Sequence, residues 1–140
     1  QRIIYKKGAA EQVQQVLGRG EMLSFVCDQD AERKGLFVDF FARKASTFKS
    51  IALMAMQFQV PVALMCCRRI GATFRFEVWP QRIIEPTEWA DRDDPLRWIT
   101  QEYTHALEEA IRRYPEQYFW VHRRWKHRPK GEAEDPEGIS

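Results

Sequence analysis

Three short apolar runs constrain this chain more than anything else in it: EMLSFVC at 21–27, GLFVDFF at 35–41 and VPVALMCC at 60–67. Each closes on polar or charged residues, and the first and third are apolar at nearly every position, as buried strands are. Between the second and third lies STFKSIALMAMQFQ, with Ser46 or Thr47 as a candidate N-cap and Ile51, Met54, Ala55 and Phe58 at helical spacing. Strand, helix and strand in this order predict a β-α-β unit with parallel strands and a right-handed crossover. In RRIGATFRFEVWP, Gly71 marks a turn and Phe74, Phe76 and Val78 alternate with Arg75 and Glu77, which predicts an added antiparallel strand.

Helical signals flank these runs. GAAEQVQQVLGRG sets Ala10, Val13, Val16 and Leu17 on one face before a stop at Gly18 and Gly20. The clearest helix is DDPLRWITQEYTHALEEAIRRYP, where Asp94 caps, Pro95 occupies the first turn and Leu96, Ile99, Tyr103, Leu107 and Ile111 form the stripe. Pro115 ends it, and PEQYFWVHRRWK is expected to restart as a second, short helix. The predicted fold is mixed α/β: a partly parallel sheet flanked by helices, with further helices at the C-terminal end. With 140 residues, 44% hydrophobic, the chain supports one core. Residues 1–130 are expected to form the C-terminal part of a single domain and 131–140, rich in Pro, Gly and acid, a flexible tail. The first residue is not Met, and the chain is expected to begin within a longer protein.

A net charge of +2 carries no partner signal, but its distribution does: acids gather at 85–94 and in the tail, bases at 112–130. Cys27, Cys66 and Cys67, an odd number inside apolar runs, read as reduced thiols. No apolar stretch reaches the roughly 18 residues needed to span a bilayer. The basic, aromatic block YPEQYFWVHRRWKHRP at 114–129 admits three readings. As a metal site it fails, because on a helix His122 and His127 point about 140° apart and no further ligand stands at zinc-like spacing. As a nucleic-acid surface, Arg123, Arg124, Lys126, Arg128 and Lys130 beside Trp120 and Trp125 suit phosphates and bases, but no reader motif surrounds them. The third reading is a platform on an anionic membrane, with Tyr118 to Val121 partly serving the core.

The third reading gains from a likeness. DQD at 28–30, FVDFFARKAST at 37–47, VPVALMCCRR at 60–69 and the 114–129 block resemble, in order and spacing, the lipid A biosynthesis acyltransferases, which are related to the lysophospholipid acyltransferases. The resemblance implies transfer of a fatty acyl chain from an acyl-carrier protein thioester to a hydroxyl of a glucosamine-based lipid, without metal or organic cofactor. It also implies peripheral attachment to the cytoplasmic face of the inner membrane. Such enzymes use an H-x-x-x-x-D/E pair, the His as general base and the acid orienting it. That pair is expected before DQD, and no histidine precedes Asp28. His127 and Glu132 match the spacing formally and are read as coincidence, so the chain alone is expected to be inactive. A degenerate, non-catalytic lipid-binding protein remains the alternative, beside the nucleic-acid module.

On this likeness Asp28 and Gln29 bind the acceptor. Lys6 and Lys7, before a helix start, are candidate anion contacts, as are Arg43 and Thr47 at the start of the 46–59 helix. Trp120, Arg124, Trp125, Lys126 and Arg128 are expected to meet anionic lipid, with Arg123 and His122 structural. The Arg assignment follows from helical geometry, which places Arg123 behind the apolar Phe119 and Arg124 behind Trp120. The chain departs from the family pattern in having Ala42 and Ser50 where Gly is usual, and Leu64 near an expected Pro.

Overall fold

In chain order, this computed structural model describes residues 3–4 and 9–131 as α1 (Ala9–Gly18), a 3-10 turn (Glu32–Lys34), β1 (Leu36–Phe40), β2 (Arg43–Thr47), α2 (Ser50–Phe58), β3 (Val62–Arg69), β4 (Phe76–Ile84), α3 (Pro86–Trp89), α4 (Pro95–Arg113) and a second 3-10 turn (Pro115–Gln117). The mixed α/β class holds. The expected 131–140 tail lies outside the described residues beyond Gly131, as do Lys6 and Lys7.

The long helix forms where its local signals put it. Asp94 accepts a hydrogen bond from the Arg97 N–H at 2.9 Å, Pro95 takes the first turn, and Arg112 and Arg113 meet the negative end of the helix dipole. Its buried stripe serves two cores. Ile99 and Tyr103 pack with Ala52, Ala55, Ile84 and Trp89. One end further on, Ile111 packs with Phe40 and Ala45, joined by Tyr118 and Trp125. Thr100 and Thr104, buried in the stripe, satisfy their hydroxyls by donating to the carbonyls of Leu96 and Thr100, each at 2.7 Å.

The sheet differs from the sequence expectation. Among the described residues there are two two-stranded sheets, β1 with β2 and β3 with β4, both antiparallel. The EMLSFVC segment belongs to no sheet, and β1 and β3, the two strands expected to pair in parallel across the helix, lie in separate sheets, so the β-α-β unit is not formed. The reason lies at Phe41 and Ala42. Both adopt left-handed backbone, φ 51° and 59°, and make a two-residue hairpin turn that folds β1 directly onto β2. That turn draws Ser46 and Thr47 into a buried strand, and α2 begins two or three residues later than their capping role required. The other edge of β1 is occupied by α4 side chains: Arg97 donates to the Phe37 carbonyl, Gln101 bonds the N–H and carbonyl of Asp39, and Glu108 accepts from the Phe41 N–H at 2.7 Å. No strand can add there. The predicted antiparallel strand is present as β4, with a bulge where Met65 pairs with Pro80 instead of Gln81. No helix among the described residues is long and apolar enough to cross a membrane.

Candidate functional site

Pro115 ends α4, but no second helix follows. After the 3-10 turn Tyr118 is extended, and the chain advances by tight bonds: Trp120 N–H to Tyr118 O, His122 N–H to Phe119 O, Arg124 N–H to His122 O and Lys126 N–H to Arg123 O. Each reaches back two or three residues, never four. Tertiary packing explains this. Tyr118 and Trp125 both lie on the Phe40 ring, with centroids 6.4 and 5.4 Å away, and an ideal helix turns residues seven apart by only about 20° but separates them by about 10 Å. The irregular path brings both onto one ring.

With the helix goes the arginine assignment, which reverses. Arg124 is 1% exposed and Arg123 lies at the surface. The Arg124 guanidinium donates to the Ser46 carbonyl at 2.6 Å and to Thr47 Oγ1 at 2.7 Å, and its central carbon lies 5.2 Å from the centre of the Phe40 ring. Burial lowers its pKa, while Tyr118, Tyr103 and Asp30 nearby act in the opposite sense. Arg124 therefore does not meet lipid. Thr47 is 0% exposed and bound by Arg124, which removes it from any phosphate site. Arg43, at the opposite end of β2, stacks its guanidinium 5.4 Å from the centre of the Trp125 ring.

Around Arg124 three of the four motif blocks meet, those at 28–30, 37–47 and 114–129. The Ser46 carbonyl accepts from both Arg124 and the Ala31 N–H, and the Ser46 hydroxyl donates to the Glu32 carbonyl. These bonds fasten the 28–32 loop to β2. From the other side the C-terminal block grips the same loop. His122 Nε2 accepts the Asp30 N–H at 2.9 Å, which fixes its proton on Nδ1 when the ring is neutral, and the Tyr118 hydroxyl donates to the Asp28 carbonyl at 3.3 Å. His127 Nδ1 lies 2.6 Å from Asp30 Oδ2, which also accepts the Glu32 N–H. Burial pushes the Tyr118 phenol up to about 12 and the Cys27 thiol up to about 11, with the Asp28 carboxylate adding to both.

Asp28 and Gln29 thus occupy a loop held on two sides. Oδ1 of Asp28 is buried without a protein hydrogen-bond partner, whereas Gln29 faces solvent. Trp125 is half-buried in the Phe40 cluster, while Trp120 is exposed, its indole N–H donating to the Pro115 carbonyl. Lys126 is exposed and Arg128 half-exposed, while Phe119 and Val121 add apolar surface beside Trp120. Sequence reasoning missed the His127–Asp30 pair because it sought an acid near His127 in the chain. Glu132 lies outside the described residues, and the acid His127 meets is 97 residues away. The second Asp of DQD was the one available signal. Among the described residues no group of three or more His, Cys, Asp or Glu is placed to hold a metal ion.

Residues 1–127 match the family described as bacterial lipid A biosynthesis acyltransferase. The chain is 32% identical over 121 residues to the lipid A biosynthesis palmitoleoyltransferase of Escherichia coli K12 and, equally, to a lipid A biosynthesis acyltransferase of Shigella flexneri. In each case the match covers 84% of this chain and 37% of the relative. The E. coli lauroyltransferase is 29% identical over 119 residues, 82% of this chain and 37% of that protein. The chain spans little more than a third of the length of these curated relatives. Three of the four blocks that suggested the likeness converge on Arg124 and Asp30, and the match over residues 1–127 shows that the chain belongs to the bacterial lipid A biosynthesis acyltransferase family.

Proposed function

We propose that this chain is the substrate-holding part of an acyltransferase that moves a fatty acyl chain from an acyl-carrier protein thioester to a hydroxyl of a lipid A-type glycolipid. In that reaction a base takes the acceptor hydroxyl proton, the oxygen attacks the thioester carbonyl, and the carrier thiol leaves. The observation that carries the reading is the double clamp on the 28–32 loop, with β2 on one side and the 118–127 block on the other. A loop gripped twice keeps Asp28 and Gln29 in place for an acceptor, whose binding depends on preorganised contacts. Lys6, Lys7 and Arg43 supply cationic contacts to its phosphates. The histidines of this sequence all follow Asp28, and the base belongs to polypeptide outside it.

The protein acts peripherally at the cytoplasmic face of the inner membrane. Exposed Phe119, Trp120 and Val121 enter the interfacial zone, with Lys126 and Arg128 near anionic headgroups. The test pairs two assays. The chain alone, given an acyl-carrier thioester and a lipid A-type glycolipid, is expected to show no transfer above background, and it is expected to bind vesicles containing anionic lipid better than neutral ones, less so as salt rises. Transfer that disappears in His127→Ala would overturn the placement of the base. Equal retention on both vesicle types would overturn the membrane contact.

A further inference from the structure

On the face of the β3–β4 hairpin turned away from α4, Met65 stands opposite Pro80, Cys67 opposite Val78 and Arg69 opposite Phe76, and Ile83 extends the strip. Directly opposed residues share one face of an antiparallel pair. These side chains are open to solvent, Val78 by 62%. The opposite face behaves differently: Leu64 and Ile84 are buried, Trp79 packs on Tyr114, and α4 covers the layer. A sheet built to show one face to water alternates polar and apolar residues along each strand. From Val62 to Cys67, β3 is apolar at every position, as in a strand covered on both sides. Besides β4, β3 has no strand neighbour among the described residues, and a two-stranded sheet is marginal without cover.

We propose that this apolar face is an interface for a helical segment of the acyltransferase polypeptide that lies outside the region matched here, so that β3 and β4 carry helices on both faces. The proposal rests on the acyltransferase reading. Two observations choose this occupant over others. The matched region is only 37% of each relative, so most of their polypeptide lies beyond it and is long enough to supply a second layer. Met65, Cys67, Val78, Pro80 and Ile83 are uncharged and the strip's one cation, Arg69, stands at its end opposite Phe76, so its centre offers nothing to recognise a phosphate-bearing surface.

Cys67 lies in the strip and is exposed, while Cys66 on the inner face and Cys27 in the core are half-buried, so the chain carries its own footprinting probe. The full chain is co-expressed with the part of the E. coli palmitoleoyltransferase outside its matched 37%. Maleimide labelling of Cys67, followed by mass spectrometry, is expected to slow at least about tenfold in the co-purified complex relative to the chain alone. Val78→Glu is expected to restore labelling and abolish co-purification while leaving the melting temperature of the isolated chain within a few degrees of the unsubstituted one. Failure to co-purify, or a complex with Cys67 still fully reactive, overturns the proposal. So does concentration-dependent protection of Cys67 in the chain alone, which assigns the face to a second copy, or protection by vesicles of neutral lipid, which assigns it to a bilayer. The acyl-transfer assay on the same complex separates this proposal from the reading beneath it: protection without transfer keeps the interface and removes the activity, and transfer without protection does the reverse.

Discussion

Removing Arg124 tests the centre of this architecture. Two hydrogen bonds from its guanidinium would be lost, and bonds to charged groups are worth about 1.5–3 kcal/mol each. Neither acceptor is orphaned, because the Ser46 carbonyl keeps the Ala31 N–H and Thr47 Oγ1 still donates to the Ala45 carbonyl, which places each loss near the lower end. The buried Nε of Arg124 has no protein partner, so part of its desolvation cost is recovered on removal. Against this, truncation to Ala empties space beside Phe40. Together these place Arg124→Ala at about 3 kcal/mol of destabilisation. For a domain of this size that corresponds to roughly 10 °C in melting temperature. Arg124→Met keeps the stem volume and is expected to lose less, whereas Arg124→Lys buries a charge that cannot bridge both oxygens and is expected to lose as much as Ala. Arg123→Ala, at the surface, is expected to cost under about 1 kcal/mol. Urea unfolding followed by circular dichroism measures all four. A larger loss from Arg123→Ala than from Arg124→Ala would refute the inward placement of Arg124 and the clamp built on it.

Three further outcomes follow from particular backbone and carboxylate positions. Ala42→Gly is expected to raise stability by about 1 kcal/mol in the same urea assay, since Ala at φ 59° bears the left-handed penalty that Gly escapes, and a loss would show the turn is unstrained. Gly35→Ala is expected to cost more than about 2 kcal/mol, because the new methyl would overlap Ser46 Oγ and stand 2.8 Å from the Ala31 Cβ and 2.9 Å from the Thr47 nitrogen. Burial alone would raise the Glu108 pKa, but the Phe41 N–H and the Arg112 guanidinium reverse the sign and hold it below the usual carboxylate range. Its stabilising contribution is therefore complete above the unfolded value of about 4.3 and is lost as pH falls through the lower folded value. The stability gap between the unsubstituted chain and Glu108→Gln should shrink across that acid window, and a gap independent of pH from 7 to 2 would contradict the assignment.

Local chemistry was enough wherever it acted within a few residues. Asp94, Pro95 and the apolar stripe specify α4 without help, and the alternation around Phe76 and Val78 specifies β4, since cap, ring constraint and period are properties of neighbours in the chain. The blocks at 28–30, 37–47, 60–69 and 114–129 were likewise enough to indicate the family. The hairpin at Phe41 and Ala42 was not legible, because neither residue is one that left-handed backbone favours. Their conformation is held from outside, by Glu108 on the Phe41 N–H and by Phe40, Trp120 and Arg112 around the Phe41 ring. Once the turn closes, Ser46 and Thr47 become a buried strand instead of a cap, and the parallel pairing has no edge to use. The inward turn of Arg124 has the same origin: the Ser46 carbonyl and Thr47 hydroxyl that hold it are 78 and 77 residues away. The Asp30–His127 contact joins residues 97 apart. No periodicity encodes such meetings. They are decided by which apolar faces α4 buries, and the polar side chains then pair with whatever the packing brings within reach.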